Sequence, residues 1–176
     1  MSEVNVAVLG SGVDEKHPDL RGRVNSAEGY DFQGDKREVV DADGWGTQVA
    51  TLIAGSPAGG KGVTGLAPNA KIIPIKVIQG NRGRTIDVIR AVHFVAQHDR
   101  HHLLVTTWQG GRYCRALEEA IHLAAEKGVV IVAAAGDARL NLDERTTYPA
   151  GHQADTTIVV GATNGANARS STSNRG

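Results

Sequence analysis

The side chains in this sequence that could do chemistry gather at a few glycine-rich turns. Asp137 stands in Gly136-Asp137-Ala138-Arg139, directly after an apolar run, and Trp45 and Trp108 are the only indoles in the chain. A carboxylate beside indoles is a candidate general acid or base, with Gln48, Gln109 or Cys114 assisting. It is equally suited to cap its turn or pair with Arg139. Cys114, the single cysteine, follows Gly110-Gly111 at a predicted helix start, where the backbone favours a thiolate. No histidine lies in the neighbouring turns to act as its base, and a small buried residue is the competing reading.

Three further patterns invite ligands and fall short of their templates. His98, His101 and His102 lie near Asp99, but three histidines in five residues at a helix end cannot all face one ion without an unusual loop. Solvated helix-end residues account for them, and no metal is expected. Gly10-Ser11-Gly12 begins a dinucleotide fingerprint whose third glycine is Glu15, and His17-Pro18-Asp19 interrupts the helix that should follow. Gly55 to Gly62 (GSPAGGKG) lacks the Ser/Thr of a phosphate loop and follows a helix instead of a strand. No cofactor is implied.

The elements that must position these turns alternate between apolar runs and helical periodicities. Residues 4–9 (VNVAVL), 70–78 (AKIIPIKVI), 103–107 (LLVTT), 129–134 (VVIVAA) and 156–161 (TTIVVG) read as strands. Their continuous Val/Ile/Leu content suggests burial on both faces, and Pro74 hints at an edge or a bulge. Residues 45–54 read as a helix through Val49, Leu52 and Ile53. Residues 85–98 form a second, with Thr85 as its cap and Ile86, Ile89, His93 and Ala96 on one face. Residues 113–127 form a third, with Leu117, Ala120, Ile121 and Ala124 as a core stripe and Gly128 as breaker. Strand-helix alternation predicts an α/β, doubly wound, mostly parallel sheet in a single domain over 1–176. Residues 164–176 are small and polar and are expected to be poorly ordered. Ligands of such sheets lie at the carboxyl ends of the strands, where Gly10, Ser11, Trp45, Trp108, Gln109, Gly110 and Asp137 all fall.

Five segments in order resemble the subtilisin-like serine proteases. VAVLGSGVDEKHPDL (6–20) is similar to the strand carrying the family's catalytic aspartate, and DGWGTQVATLIAG (43–55) to the motif carrying its catalytic histidine. GLAPNAKIIPIKVI (65–78), GVVIVAAAGD (128–137) and YPAGHQADTTIVVGAT (148–163) resemble the following strands, the second of these ending at the oxyanion-hole asparagine. The resemblance implies a subtilisin-like fold lacking its C-terminal part. It places Gly10 at the aspartate, Trp45 at the histidine, Gln48 at the motif's second histidine and Asp137 at the oxyanion asparagine. Glycine cannot orient an imidazole, and an indole N–H is a donor only. A carboxylate at the oxyanion site opposes the charge that develops there. The sequence reaches Gly176 without the Gly-Thr-Ser-Met-Ala segment of the family nucleophile, and its first strand leaves no room for a pro-segment. A degenerate, truncated protease homologue is expected. Its former cleft would bind a small molecule, peptide or protein, and a second copy or a partner chain would cover the apolar face left by truncation. The alternatives are a repurposed enzyme using Asp137, and one half of a split assembly.

Composition narrows the partners. Nineteen basic and 19 acidic residues give no electrostatic reason for a nucleic acid or anionic membrane. The start, MSEVNVAVLG, is too short and acidic for a signal peptide, and no run of about 18 apolar residues exists to span a bilayer, so a cytoplasmic protein is expected.

Overall fold

A computed structural model describes residues 4–57, 61–98, 102–152 and 154–176. Strands β1 (Asn5–Gly10), β2 (Tyr30–Asp31), β3 (Lys71–Lys76), β6 (Leu103–Thr106), β7 (Val130–Ala134) and β8 (Thr157–Val160) form one six-stranded sheet in the order β2-β3-β1-β6-β7-β8. Every neighbouring pair in it is parallel. Strands β4 (Ile78–Gln79) and β5 (Arg82–Gly83) make a small antiparallel hairpin. Helices α1 (Trp45–Ala54), α2 (Thr85–Ala96) and α3 (Arg115–Glu126) supply the connections. The expected α/β architecture is present.

The two faces of the sheet are covered unequally. On one face Ala7, Leu9, Ile73, Ile75, Leu104 and Ile131 pack against Val88, Val92 and Val95 of α2 and Leu117, Ala120, Ile121 and Ala124 of α3. Each large aliphatic buried there stabilises the fold by about 1.5–3 kcal/mol. On the other face Val6, Val8 and Ile72 are buried with Ala50 and Ala54 of α1, and Leu103 and Val105 of β6 pack against this cluster half-buried. Strand β1 is therefore buried at all six positions, whereas β6 and β7 alternate between buried and half-buried. In β8, Ile158, Val159 and Val160 are 52%, 38% and 49% exposed. Burial on both faces, expected for every strand, thus holds only in the half of the sheet beneath α1.

Several local expectations change. Thr85 does not cap α2: Arg84 holds that position without a side-chain cap bond, and its guanidinium grips Asp87 through Nε (2.6 Å) and Nη2 (2.9 Å). The buried face of α2 is Val88, Ala91, Val92, Val95 and Ala96. Ile86 is exposed and Ile89 and His93 are half-buried, so the expected stripe is rotated. Pro74 makes no bulge; it pairs in register with Val8. Lys71 and Val77 donate their N–H to β1, whereas Ile72 donates to Arg23 on the outer side. Pro74 shares the parity of Ile72, so its missing donor faces outward and costs β1 no bond. Residues 164–176 are tied down: Asn174 and Ser173 are buried, and the Asn174 and Arg175 amides donate to Gly136 and Leu140. No helix of the described residues is long and apolar enough to cross a membrane.

Candidate functional site

The carboxyl ends of β1, β6 and β7 open onto one cavity of about 800 Å³. Its geometry begins with glycines. A Cβ on Gly46 would lie 2.0 Å from the Gly12 carbonyl, and the Gly46 amide donates to Ser11 Oγ at 2.9 Å. Only glycine lets the start of α1 approach the end of β1 this closely. At Gly10 a Cβ would meet nothing within 4 Å, so the end of β1 is an open notch in the cavity wall.

Asp41 fixes how α1 enters. Gly44, at φ 78°, stands at the cap position without a side chain, and Asp41 supplies the acceptors from three residues earlier. Its Oδ2 accepts from the Thr47 amide (2.8 Å) and hydroxyl (2.5 Å), and its Oδ1 from the Gly44 amide (2.9 Å). Burial pushes the carboxyl's pKa up, but the hydrogen bonds from Thr47, Ser11 and Gly44 outweigh it and hold Asp41 below the ordinary value. Trp45 is then the first helical residue, 52% exposed, and its Nε1 donates to Thr107 Oγ1 at 2.9 Å. Trp108 donates its Nε1 to the Leu9 carbonyl at 3.0 Å and packs against the main core. Both indoles are thus committed through their only donor, leaving ring surface to the cavity.

A polar chain fixes the opposite wall. Gln109 Nε2 donates to Asp137 Oδ1 (3.1 Å), while Asn174 Nδ2 donates to Gln109 Oε1 (3.3 Å) and to the Ala135 carbonyl (2.7 Å). Asn174 Oδ1 accepts from the Leu140 amide at 2.8 Å. The buried Asn174 sets the orientation of the Gln109 amide, which in turn holds the exposed Asp137 carboxylate. Gly136 at φ 100° lies beneath, where a Cβ would meet Gln109 Oε1 at 1.8 Å.

Of the residues singled out in the sequence, Gly10, Ser11, Trp45, Trp108, Gln109, Gly110 and Asp137 line this cavity together. Gln48 and Arg139 are exposed outside its lining, and the half-buried Cys114 sits at the cap of α3 against the core. Of the histidine group, Asp99 and His101 lie outside the described residues, as do Ala58, Gly59 and Gly60 of the glycine loop. Among the described residues no three His, Cys, Asp or Glu side chains converge as metal ligands. Sequence reasoning missed Thr107, Asn174 and the cap role of Asp41. Asp41 carried a signal, since an acid shortly before a Gly-x-Gly-Thr helix start is a ready cap acceptor. Asn174 carried none, because its partners are 34 to 65 residues away in the chain.

The comparison with known proteins decides the ancestry of this arrangement: residues 1–176 match the subtilase family. The chain belongs to that family. It is 34% identical over 160 residues to the thermophilic serine proteinase of Bacillus sp. (strain AK1), covering 89% of this chain and 37% of that protein. To the major intracellular serine protease of Bacillus subtilis (strain 168) it is 32% identical over 166 residues, covering 90% and 50%. It superposes on the crystal structure of a cold adapted subtilisin-like serine proteinase with a TM-score of 0.83 and 32% identity, covering 97% of this chain and 59% of that one. The chain therefore spans half or less of the length of these two curated relatives. As a subtilase, it carries Gly10 at the end of β1 and Trp45 at the start of α1.

Proposed function

We propose that this subtilase chain does not hydrolyse peptides by the family mechanism and that its cleft binds a peptide or small organic ligand. One observation carries the reading. Gly10 and Trp45, standing where the motifs place the aspartate and histidine, face one open cavity in which the neighbouring side chains are hydrogen-bonded into place. Neither residue can take a proton from a nucleophile, whatever chain supplies that nucleophile. A decayed site would collapse or fill with solvent-facing polar groups. This one keeps two anchored indoles over a glycine-walled notch, a surface suited to an apolar or aromatic side chain.

The test has two arms. Purified protein is assayed for hydrolysis of fluorogenic peptides and for labelling by a fluorophosphonate; either activity overturns the first half of the proposal. Intrinsic tryptophan fluorescence is then titrated with a tryptic digest of casein. A saturable change that weakens roughly tenfold in Trp45→Ala is expected for a ring at the centre of the contact. No change in the wild type refutes the binding role.

A second reading rests on the Asn174–Gln109–Asp137 chain, which orients an exposed carboxylate at the cavity wall. In that reading Asp137 is a general acid or base for a non-peptidase reaction. Any turnover found in a substrate screen should then fall by about 10²-fold or more in Asp137→Asn, and turnover unaffected by that change removes the reading.

A further inference from the structure

Asparagine followed by a residue with little or no side chain is chemically labile, because the next main-chain nitrogen is held close to the side-chain amide carbon. Three such pairs occur here: Asn69-Ala70, Asn164-Gly165 and Asn167-Ala168. The fold occupies the attacking nitrogen in two of them. Ala70 donates its N–H to the Ala67 carbonyl at 2.9 Å, and Ala168 donates to Asn164 Oδ1 at 3.1 Å. Among the described residues nothing accepts from the Gly165 N–H. Asn164 and Gly165 are both exposed, and a Cβ on Gly165 would meet nothing within 4 Å. Asp43-Gly44, the one aspartate-glycine pair, is closed in the same way, since Gly44 donates to Asp41 Oδ1 at 2.9 Å.

We infer that Asn164-Gly165 is a self-modification site, which converts in the folded protein to a mixture of aspartate and isoaspartate. The inference concerns a surface turn and does not depend on the binding role proposed for the cleft. The chain supplies the nucleophile, and water is the only co-reactant. A base from solvent takes the Gly165 amide proton, and the nitrogen attacks Asn164 Cγ. The new C–N bond closes a five-membered succinimide. The Cγ–Nδ2 bond breaks, and the amide nitrogen takes up a proton and leaves as ammonia. Water then opens the ring. Attack at Cγ leaves aspartate, and attack at the main-chain carbonyl carbon leaves isoaspartate, in which the chain runs through the former side chain.

The geometry favours the first step. Asn164 Oδ1 accepts from the Ala166 amide at 2.9 Å and from the Ala168 amide at 3.1 Å. Both donors point at the oxygen on which negative charge develops when Cγ is attacked, and they stabilise it there. Among the described residues nothing accepts from Nδ2, so the leaving group is not held. The product bears on the surrounding fold. Asn164 closes a turn: its N–H donates to the Ala168 carbonyl (2.8 Å), its carbonyl accepts from the Asn167 amide (3.0 Å), and Thr163 bridges Arg169. Isoaspartate adds a methylene to the main chain inside that turn. The turn leads to Ser173 and Asn174, whose side chains bond the Ala162 amide and Gln109.

Ageing the purified chain at mildly alkaline pH and mapping it by tandem mass spectrometry tests this. Trypsin releases 146–169, fragmentation separates position 164 from 167, and an unaged sample digested alongside corrects for change during digestion. Amide loss is expected at 164 while Asn69 and Asn167 stay intact, at a rate that rises with hydroxide. The product should be labelled by isoaspartyl methyltransferase. An Asn164 as stable as Asn69 and Asn167 overturns the proposal. So does a product holding aspartate alone, since that arises by direct hydrolysis without a succinimide. Gly165→Ala sets a methyl beside the attacking nitrogen in open space, so it should fold normally by circular dichroism and deamidate several-fold more slowly. A folded Gly165→Ala that ages like the wild type overturns the proposal. If that variant fails to fold, hydroxylamine, which cleaves the chain at a succinimide, is applied to the wild type during ageing. A chain left uncut between 164 and 165 overturns the proposal.

Discussion

Asp41 holds the start of α1 through a small set of bonds, so its replacement gives a sharp test. In Asp41→Asn the remaining carbonyl oxygen can still accept from the Gly44 amide. The new NH₂ group then faces the Thr47 amide and hydroxyl, two groups that now donate to Oδ2 at 2.8 and 2.5 Å. Two hydrogen bonds to a charged acceptor are lost, each worth about 1.5–3 kcal/mol, and relaxation of this half-buried loop recovers part of that. We expect a net loss of about 3 kcal/mol, which for a domain of this size lowers Tm by roughly 6 to 12 °C. The pH dependence supplies an independent reading. The folded-state pKa of Asp41 lies below its unfolded value. Its contribution is therefore present above the unfolded value of about 3.9 and is lost as pH falls through the folded one. Urea denaturation of wild type and variant at neutral pH and near pH 3 measures both effects. The stability gap should narrow in acid. A variant within about 0.5 kcal/mol of wild type at neutral pH would refute the assignment of Asp41 as the cap of α1.

Two other perturbations probe the surroundings of the cleft. His152 is buried with neither ring nitrogen hydrogen-bonded; Glu118 Oε1 is 3.8 Å away, and the Tyr148 ring lies tilted against it with centroids 4.4 Å apart. Burial lowers its pKa, with Glu118 opposing, so the unfolded state binds the proton first and stability should decline as pH falls below about 6.5. A Tm–pH profile shows this, and His152→Gln should flatten it in that window; an identical slope in the variant would count against the assignment. Gly136→Ala should destabilise by at least about 2 kcal/mol, because it adds a positive-φ penalty to a collision with Gln109. Thermal melts of that variant indistinguishable from wild type would show that the Gln109–Asn174 chain is not rigid.

The reading of the sequence was strongest where a pattern is local. The four-residue stripe of α3 is buried as expected, because a 3.6-residue period fixes one face of a helix. Helix α1 has the expected ends but buries Gly46, Thr47, Ala50, Thr51 and Ala54, leaving Leu52 of the expected spacing 64% exposed. Strands β2, β4 and β5 are two residues each and carry no period to detect. The rotated face of α2 shows the limit of spacing alone: Ile86 and Val88 are both apolar, and contact with α3 and the sheet decides which one is buried. The tail from 164 to 176 looked loose because its composition is polar, yet its polar groups bond back to the sheet ends.

The sequence by itself determined the family, since motif order and spacing survive in one dimension. It also brought seven of the site residues to the strand ends, because a parallel sheet puts those ends on one side. Only the tertiary structure decided what those residues do there. Trp45 is anchored by Thr107 and Asp137 by a glutamine that Asn174 orients, and each of these bonds joins parts of the chain far apart in sequence. The exposure of Ile158, Val159 and Val160 in β8 is likewise invisible in TIVV. A run of Val and Ile reads as a buried strand whether or not anything lies beside it, and burial is set by the neighbours that the fold supplies.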